Sequence, residues 1–69
     1  MKLYFVNSKG VRRVIAEPAT EEDVDREIDK FCEERNFEIC YTRTWRDNDG
    51  LKWYDVGSWS EFFICDDRD

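Results

Sequence analysis

Three thiols, Cys32, Cys40 and Cys65, and three aspartates, Asp47, Asp49 and Asp55, are the side chains of this sequence with which chemistry could begin. Thiolates bind soft metals and attack electrophiles, while grouped carboxylates can hold a hard cation. Neither set meets the spacing that such chemistry needs. The cysteines are odd in number, lack CxxC spacing and have no histidine in the chain to complete a zinc site or a Cys-His pair. They are expected to be free thiols of the core. The aspartates superficially resemble a calcium loop, but Gly50 falls directly after the second of them, and no glutamate closes the loop. They read as turn residues.

Without histidine, the commonest general base and metal ligand is missing. Gly10, Gly50 and Gly57 stand singly, so no phosphate-cradling loop is present. A paired-carboxylate hydrolase would need a cleft to raise one carboxyl, and a domain this small offers little concavity. A chain of 69 residues has room for one core, and such a core supplies roughly 3 to 5 kcal/mol, which leaves little for a strained catalytic pocket. The expectation is a binding module with no metal and no cofactor, and a small hydrolase is the weaker third reading.

Charge narrows the partners. The formal net charge is −6 and the isoelectric point lies near 4.6, the opposite of the basic footprint that binds backbone phosphates. Direct nucleic-acid binding is therefore not expected, and a basic or nucleic-acid-binding protein is the expected partner. No apolar run approaches membrane-spanning length, and the segment Met1–Val6 is followed at once by polar Asn7-Ser8-Lys9-Gly10, unlike a signal peptide. A cytoplasmic protein without membrane contact is expected.

The elements that would carry these residues can be read from periodicity and punctuation. Leu3–Val6 and Val11–Ala16 flank a turn-forming segment and predict a β-hairpin, which Pro18 ends. Thr20 can cap a helix beginning at Glu21, whose acidic first turn suits the positive end of the helix dipole. Val24, Ile28, Phe31 and Cys32 fall on one helical stripe, and Asn36 with Phe37 predicts a left-handed stop. Phe37–Trp45 then alternates with period two, placing Phe37, Ile39, Tyr41, Arg43 and Trp45 on one side of a strand. Asp47-Asn48-Asp49-Gly50 turns the chain into a strand over Leu51–Val56. Gly57-Ser58 then forms a two-residue turn, or a glycine bulge, before Trp59–Cys65, with residues 66–69 expected to fray. The order ββαβββ predicts one α+β domain over 1–69, a mainly antiparallel sheet of about five strands with one helix packed on one face.

Two features exceed what such a domain requires. Glu22, Asp25, Asp29 and Glu33 form an acidic ridge beside the apolar stripe, and Asp23, Glu27 and Glu34 form another on its opposite flank. Like charges at i, i+4 cost about 0.2 to 0.5 kcal/mol each, so the ridge is either a solvated face or a surface offered to a basic protein. The second feature is aromatic excess. One helix cannot cover all the rings, so the helix-free sheet face is expected to display aromatics around Trp45, Trp53 and Trp59, unless strand twist hides them.

As a string, Glu33-Glu34-Arg35-Asn36-Phe37, Tyr41-Thr42-Arg43-Thr44-Trp45 and Trp53 through Phe63 resembles small uncharacterised proteins of bacteriophages and prophages. The resemblance covers roughly residues 33–63 and contains no catalytic motif. It implies a small protein that binds and disables a host or defence component, such as a polymerase, a nucleoid protein or a CRISPR effector. Lys9, Arg12 and Arg13 depart from a uniform nucleic-acid mimic. The partner-binding residues predicted are Glu22, Asp25, Asp29, Glu33, Trp45, Trp53 and Trp59. The alternative is a homodimer that buries the tryptophan face across a two-fold axis.

Overall fold

A computed structural model describes residues 1–68. Five strands, β1 (Lys2–Val6), β2 (Arg12–Ala16), β3 (Arg43–Arg46), β4 (Lys52–Asp55) and β5 (Phe62–Asp66), and one helix, α1 (Glu21–Glu34), follow one another as ββαβββ. The strands form a single sheet in the order β2-β1-β5-β4-β3, antiparallel at every step. This is the α+β architecture that the pattern of the sequence predicts. β5, last in the chain, lies at the centre.

The two hairpins are built alike. Asn7 Oδ1 accepts from the backbone N–H of Lys9 and Val11, and Asp47 Oδ1 accepts from those of Asp49 and Leu51. In both, the glycine three residues on donates its N–H to the first residue's carbonyl and takes positive φ, +81° at Gly10 and +83° at Gly50. That conformation is open to glycine without steric cost. The short polar side chain and the glycine together set each turn.

The helix starts where Thr20 Oγ1 accepts from Asp23 N–H and ends in a Schellman motif. Phe37 N–H donates to Cys32 O, Asn36 N–H donates to Glu33 O, and Asn36 takes φ +56°. Between the caps, Val24, Ile28 and Cys32 are buried against Leu3 and Phe5 of β1, Tyr54 of β4, and Phe63 and Cys65 of β5. Leu3, Val24 and Ile64 are fully buried.

Three sequence expectations are corrected. The strand expected from Phe37 to Trp45 is regular only from Arg43. Phe37 and Ile39 pack on the helix-side core, whereas Trp45 lies with Trp53 on the opposite face, so the chain crosses between layers and cannot stay extended along one sheet face. The connection between β4 and β5 is a loop over 56–61, neither a two-residue turn nor a bulge. Nor does the tail fray from residue 66: Asp66 ends β5, Asp67 accepts two hydrogen bonds from Arg46, and Arg68 donates to Asp49 O. Asp69 lies outside the described residues.

Ile28 is the middle residue of the helix stripe, and truncating such a side chain costs about 2 to 5 kcal/mol. That is most of the roughly 3 to 5 kcal/mol available to a core this small. Ile28→Ala is expected to collapse the urea unfolding midpoint; a wild-type midpoint would show that the helix does not hold the sheet.

Candidate functional site

The groups with chemical potential are dispersed. Cys32 lies on the inner face of the helix and Cys65 on β5, both buried, and burial pushes both thiols up from the usual value. Cys40 is exposed, its Sγ facing Glu38 O at 3.8 Å. The expectation of three core thiols is thus corrected for Cys40, which lies exposed in the irregular segment before β3. No group of three or more cysteine, aspartate or glutamate side chains is placed to hold a metal among the described residues.

Two of the three aspartates serve structure through their side chains. Besides its turn bonds, Asp47 accepts from the Trp53 indole N–H through Oδ2 at 2.7 Å. Asp55, 4% exposed, accepts from Arg43 at 3.0 Å and from Gly57 N–H at 3.0 Å. Its second oxygen therefore starts the β4–β5 loop while the first fixes edge strand β3.

The helix-free face holds the aromatic excess in two separate ways. Trp45 and Trp53 are cross-strand partners, stacked with ring centroids 6.0 Å apart and planes 13° from parallel, and Phe62 meets both edge-on. Together with Tyr4, Trp53 and Phe62 lie over Val6, Leu51 and Ile64, which are buried although no helix covers them. The Arg12 guanidinium sits 5.7 Å from the Trp53 ring and that of Arg43 lies 5.5 Å from the Trp45 ring. This part of the face is the lid of a second small core, with Trp45 at its margin, 37% exposed.

Trp59 is different. It is 100% exposed at the β4–β5 loop, beside exposed Tyr41. With Arg43, Asp55 and Phe62 the two rings line an open cavity of about 360 Å³. Tyr41 and Arg43 were absent from the residues predicted to bind, and the signal available was their alternation with Trp45.

On the opposite layer, Glu22, Asp25, Asp29 and Glu33 are all exposed, and none joins an ion pair among the described residues. The second acidic flank is partly engaged: Asp23 pairs with Arg26 at 3.2 Å, and Glu27 and Glu34 border a small groove beside Ile15. The seven predicted residues thus fall into an acidic helix ridge and a tryptophan face on opposite sides of the sheet, and not into one site. No helix among the described residues is long and apolar enough to cross a membrane. No family model, curated protein or solved structure matches the chain.

A thiol reagent is expected to modify one equivalent, Cys40, rapidly in the folded protein and all three after denaturation. Rapid modification of Cys32 or Cys65 in the native state would contradict their burial.

Acid should act through three carboxyls, Asp47, Asp66 and Asp67. The Trp53 indole bond holds Asp47 below the usual value of 3.8, as bonds from Arg68 and Arg46 hold Asp66 and Asp67. Because these values are lowered by folding, their stabilisation is complete above the unfolded value and is lost as pH falls through the folded ones. Urea unfolding followed with pH should show stability falling below about pH 4, and falling less steeply in Asp47→Asn. An identical acid response in that variant would remove Asp47 from the account.

Proposed function

We propose that the chain is a non-enzymatic protein–protein interaction module anchored by Trp59, with Tyr41, Trp45 and Arg43 around it. The observation that carries this reading is a tryptophan wholly in solvent at the mouth of a cavity that its neighbours leave open. Tryptophan, tyrosine and arginine dominate the binding energy of protein interfaces, and a free monomer gains nothing from holding an indole in water. The ridge Glu22, Asp25, Asp29 and Glu33 supplies a second, separate surface for a basic or nucleic-acid-binding partner through charge complementarity. With the resemblance over residues 33–63, the finer reading is an inhibitor of a host or defence protein, encoded by a phage and acting in the host cytoplasm.

A second reading is favoured by the separation of charge. The acidic helix lies on the layer away from the tryptophans, so two copies facing through Trp45 and Trp59 keep their ridges apart. Such a homodimer would persist at micromolar concentration in a mass-resolved solution measurement, and a strict monomer would exclude it.

The test pairs two variants. Trp59→Ala touches no core residue, so its stability should stay within about 0.5 kcal/mol of wild type. Affinity for a partner captured from the host and then purified should fall about thirtyfold, the size of an interface hot spot. Changing Asp25, Asp29 and Glu33 to Lys should preserve the fold and weaken the same complex most at low salt. Wild-type affinity in Trp59→Ala would sink the tryptophan anchor; unchanged binding by the lysine variant would reduce the ridge to a solvated face.

A further inference from the structure

The sheet has two free edges, and they are guarded differently. On β3, Arg43 is held by Asp55 and Arg46 by Asp67, and the strand has only four residues, features that blunt an edge against added strands. On β2, neither Arg12 nor Arg13 joins an ion pair among the described residues. Arg12 instead stands over Trp53 and lends its charge to Asp47 at longer range. Val14 on β2 and Val11 just before it are 46% and 59% exposed, and strand alternation places them on opposite faces. Apolar surface on both sides of an edge strand is what a strand with a further neighbour would show.

The space beside β2 fits that neighbour. A groove of about 440 Å³ lined by Phe5, Val11, Arg13, Phe31 and Arg35 opens between β2 and the helix. Phe31 also walls a smaller depression with Ile15 and Lys30 further along the strand. The backbone is presented as well. Antiparallel ladders alternate pairs that exchange hydrogen bonds with pairs that do not. Asn7 N–H donates to Val11 O, so Phe5 and Arg13 form the next bonded pair, while Val6 with Arg12 and Tyr4 with Val14 are the unbonded ones. The N–H and C=O of Arg12 and Val14 therefore point to the free edge.

We infer that the outer edge of β2 is a docking edge for an extended acidic segment of a partner protein, which adds as a sixth strand. Main-chain groups of the segment meet those of Arg12 and Val14, its apolar side chains enter the groove under Phe31, and its carboxylates answer Arg12 and Arg13. Glu27 and Glu34 border the smaller depression at Ile15, so apolar residues belong there and acidic ones toward the turn. A nucleic acid has no ladder to offer this edge. A second copy centred on Val14 would set Arg13 against Ile15 and Arg12 against Ala16, leaving both arginines without a counter-charge.

The probe is a capped extended peptide with valines at the end that meets Ile15 and glutamates at the end that meets the turn, with a valine–lysine peptide of the same order as its counterpart. In the free protein the amides of Arg12 and Val14 should exchange with solvent faster than that of Arg13. Saturating acidic peptide should slow both at least about tenfold, and the lysine peptide should bind about tenfold more weakly. Val14→Pro removes an outward N–H and leaves the ladder with β1 intact, so the fold should hold while affinity for the acidic peptide drops about tenfold. If that variant does not fold, Arg12→Glu with Arg13→Glu keeps the backbone and should reverse the preference between peptides. The inference is overturned by unchanged exchange of Arg12 and Val14 with the acidic peptide, by equal affinity for the two peptides, or by equal binding to a folded Val14→Pro. Protection of the same amides that rises with protein concentration alone would also overturn it, in favour of a second copy. Trp59→Ala should bind the peptide as wild type does, so this edge and the tryptophan anchor stand or fall separately.

Discussion

One helix of fourteen residues cannot cover both faces of a five-stranded sheet, and most of the molecule follows from that inequality. Val24, Ile28 and Cys32 close one face over Leu3, Phe5, Tyr54, Phe63 and Cys65. The other face must close itself, and it does so by laying Tyr4, Trp53 and Phe62 over Val6, Leu51 and Ile64. Each aromatic ring can shield about 150 to 250 Å², which is why a chain this short uses so many. Arg12 and Arg43 extend the lid with their guanidinium planes. Rings outside that lid, Tyr41 and Trp59, are the ones left in solvent.

The same division explains how the helix tolerates its own repulsion. Its ridge of like charges costs helical stability locally, but helices in proteins are held chiefly by a packed apolar face and not by intrinsic propensity. The buried stripe, capped at Thr20 and at Asn36, outweighs the loss. Elsewhere charges are arranged in pairs between segments distant in sequence: Arg43 with Asp55, Arg46 with Asp67, and Arg35 with Glu61. The ridge and β2 stand apart from this pairing, one acidic and one basic.

What could be read in advance was local. The turn at Asn7–Gly10, the cap at Thr20 and the stop at Asn36-Phe37 each depend on side chains within a few residues of the backbone they fix, and each is found where the residue types place it. The regular alternation of Phe37, Ile39, Tyr41, Arg43 and Trp45 misled because its first members answer to the helix-side core and its last to the aromatic lid. A single periodic run can hide a change of layer. Trp53 and Trp59 carry equal weight in the sequence. Only the pairing of Trp53 with Trp45 and the Asp47 acceptor distinguishes the covered indole from the projecting one. Likewise, nothing near Arg12 and Arg13 in sequence reveals that neither joins an ion pair among the described residues.

The position of β5 bears on how the molecule comes into being on the ribosome. β1 and β2 close locally, as do β3 and β4, yet the two hairpins share no ladder and meet only through β5, which pairs with β1 on one side and β4 on the other. Contacts of that sequence separation are made late, because the loop that links them must be closed first. Until Phe62–Asp66 has left the ribosomal tunnel, Leu3 and Phe5 lack their central neighbour and the helix has only part of a surface to lie on. The nascent chain therefore waits with an open strand edge on β1 and with its helix only partly seated.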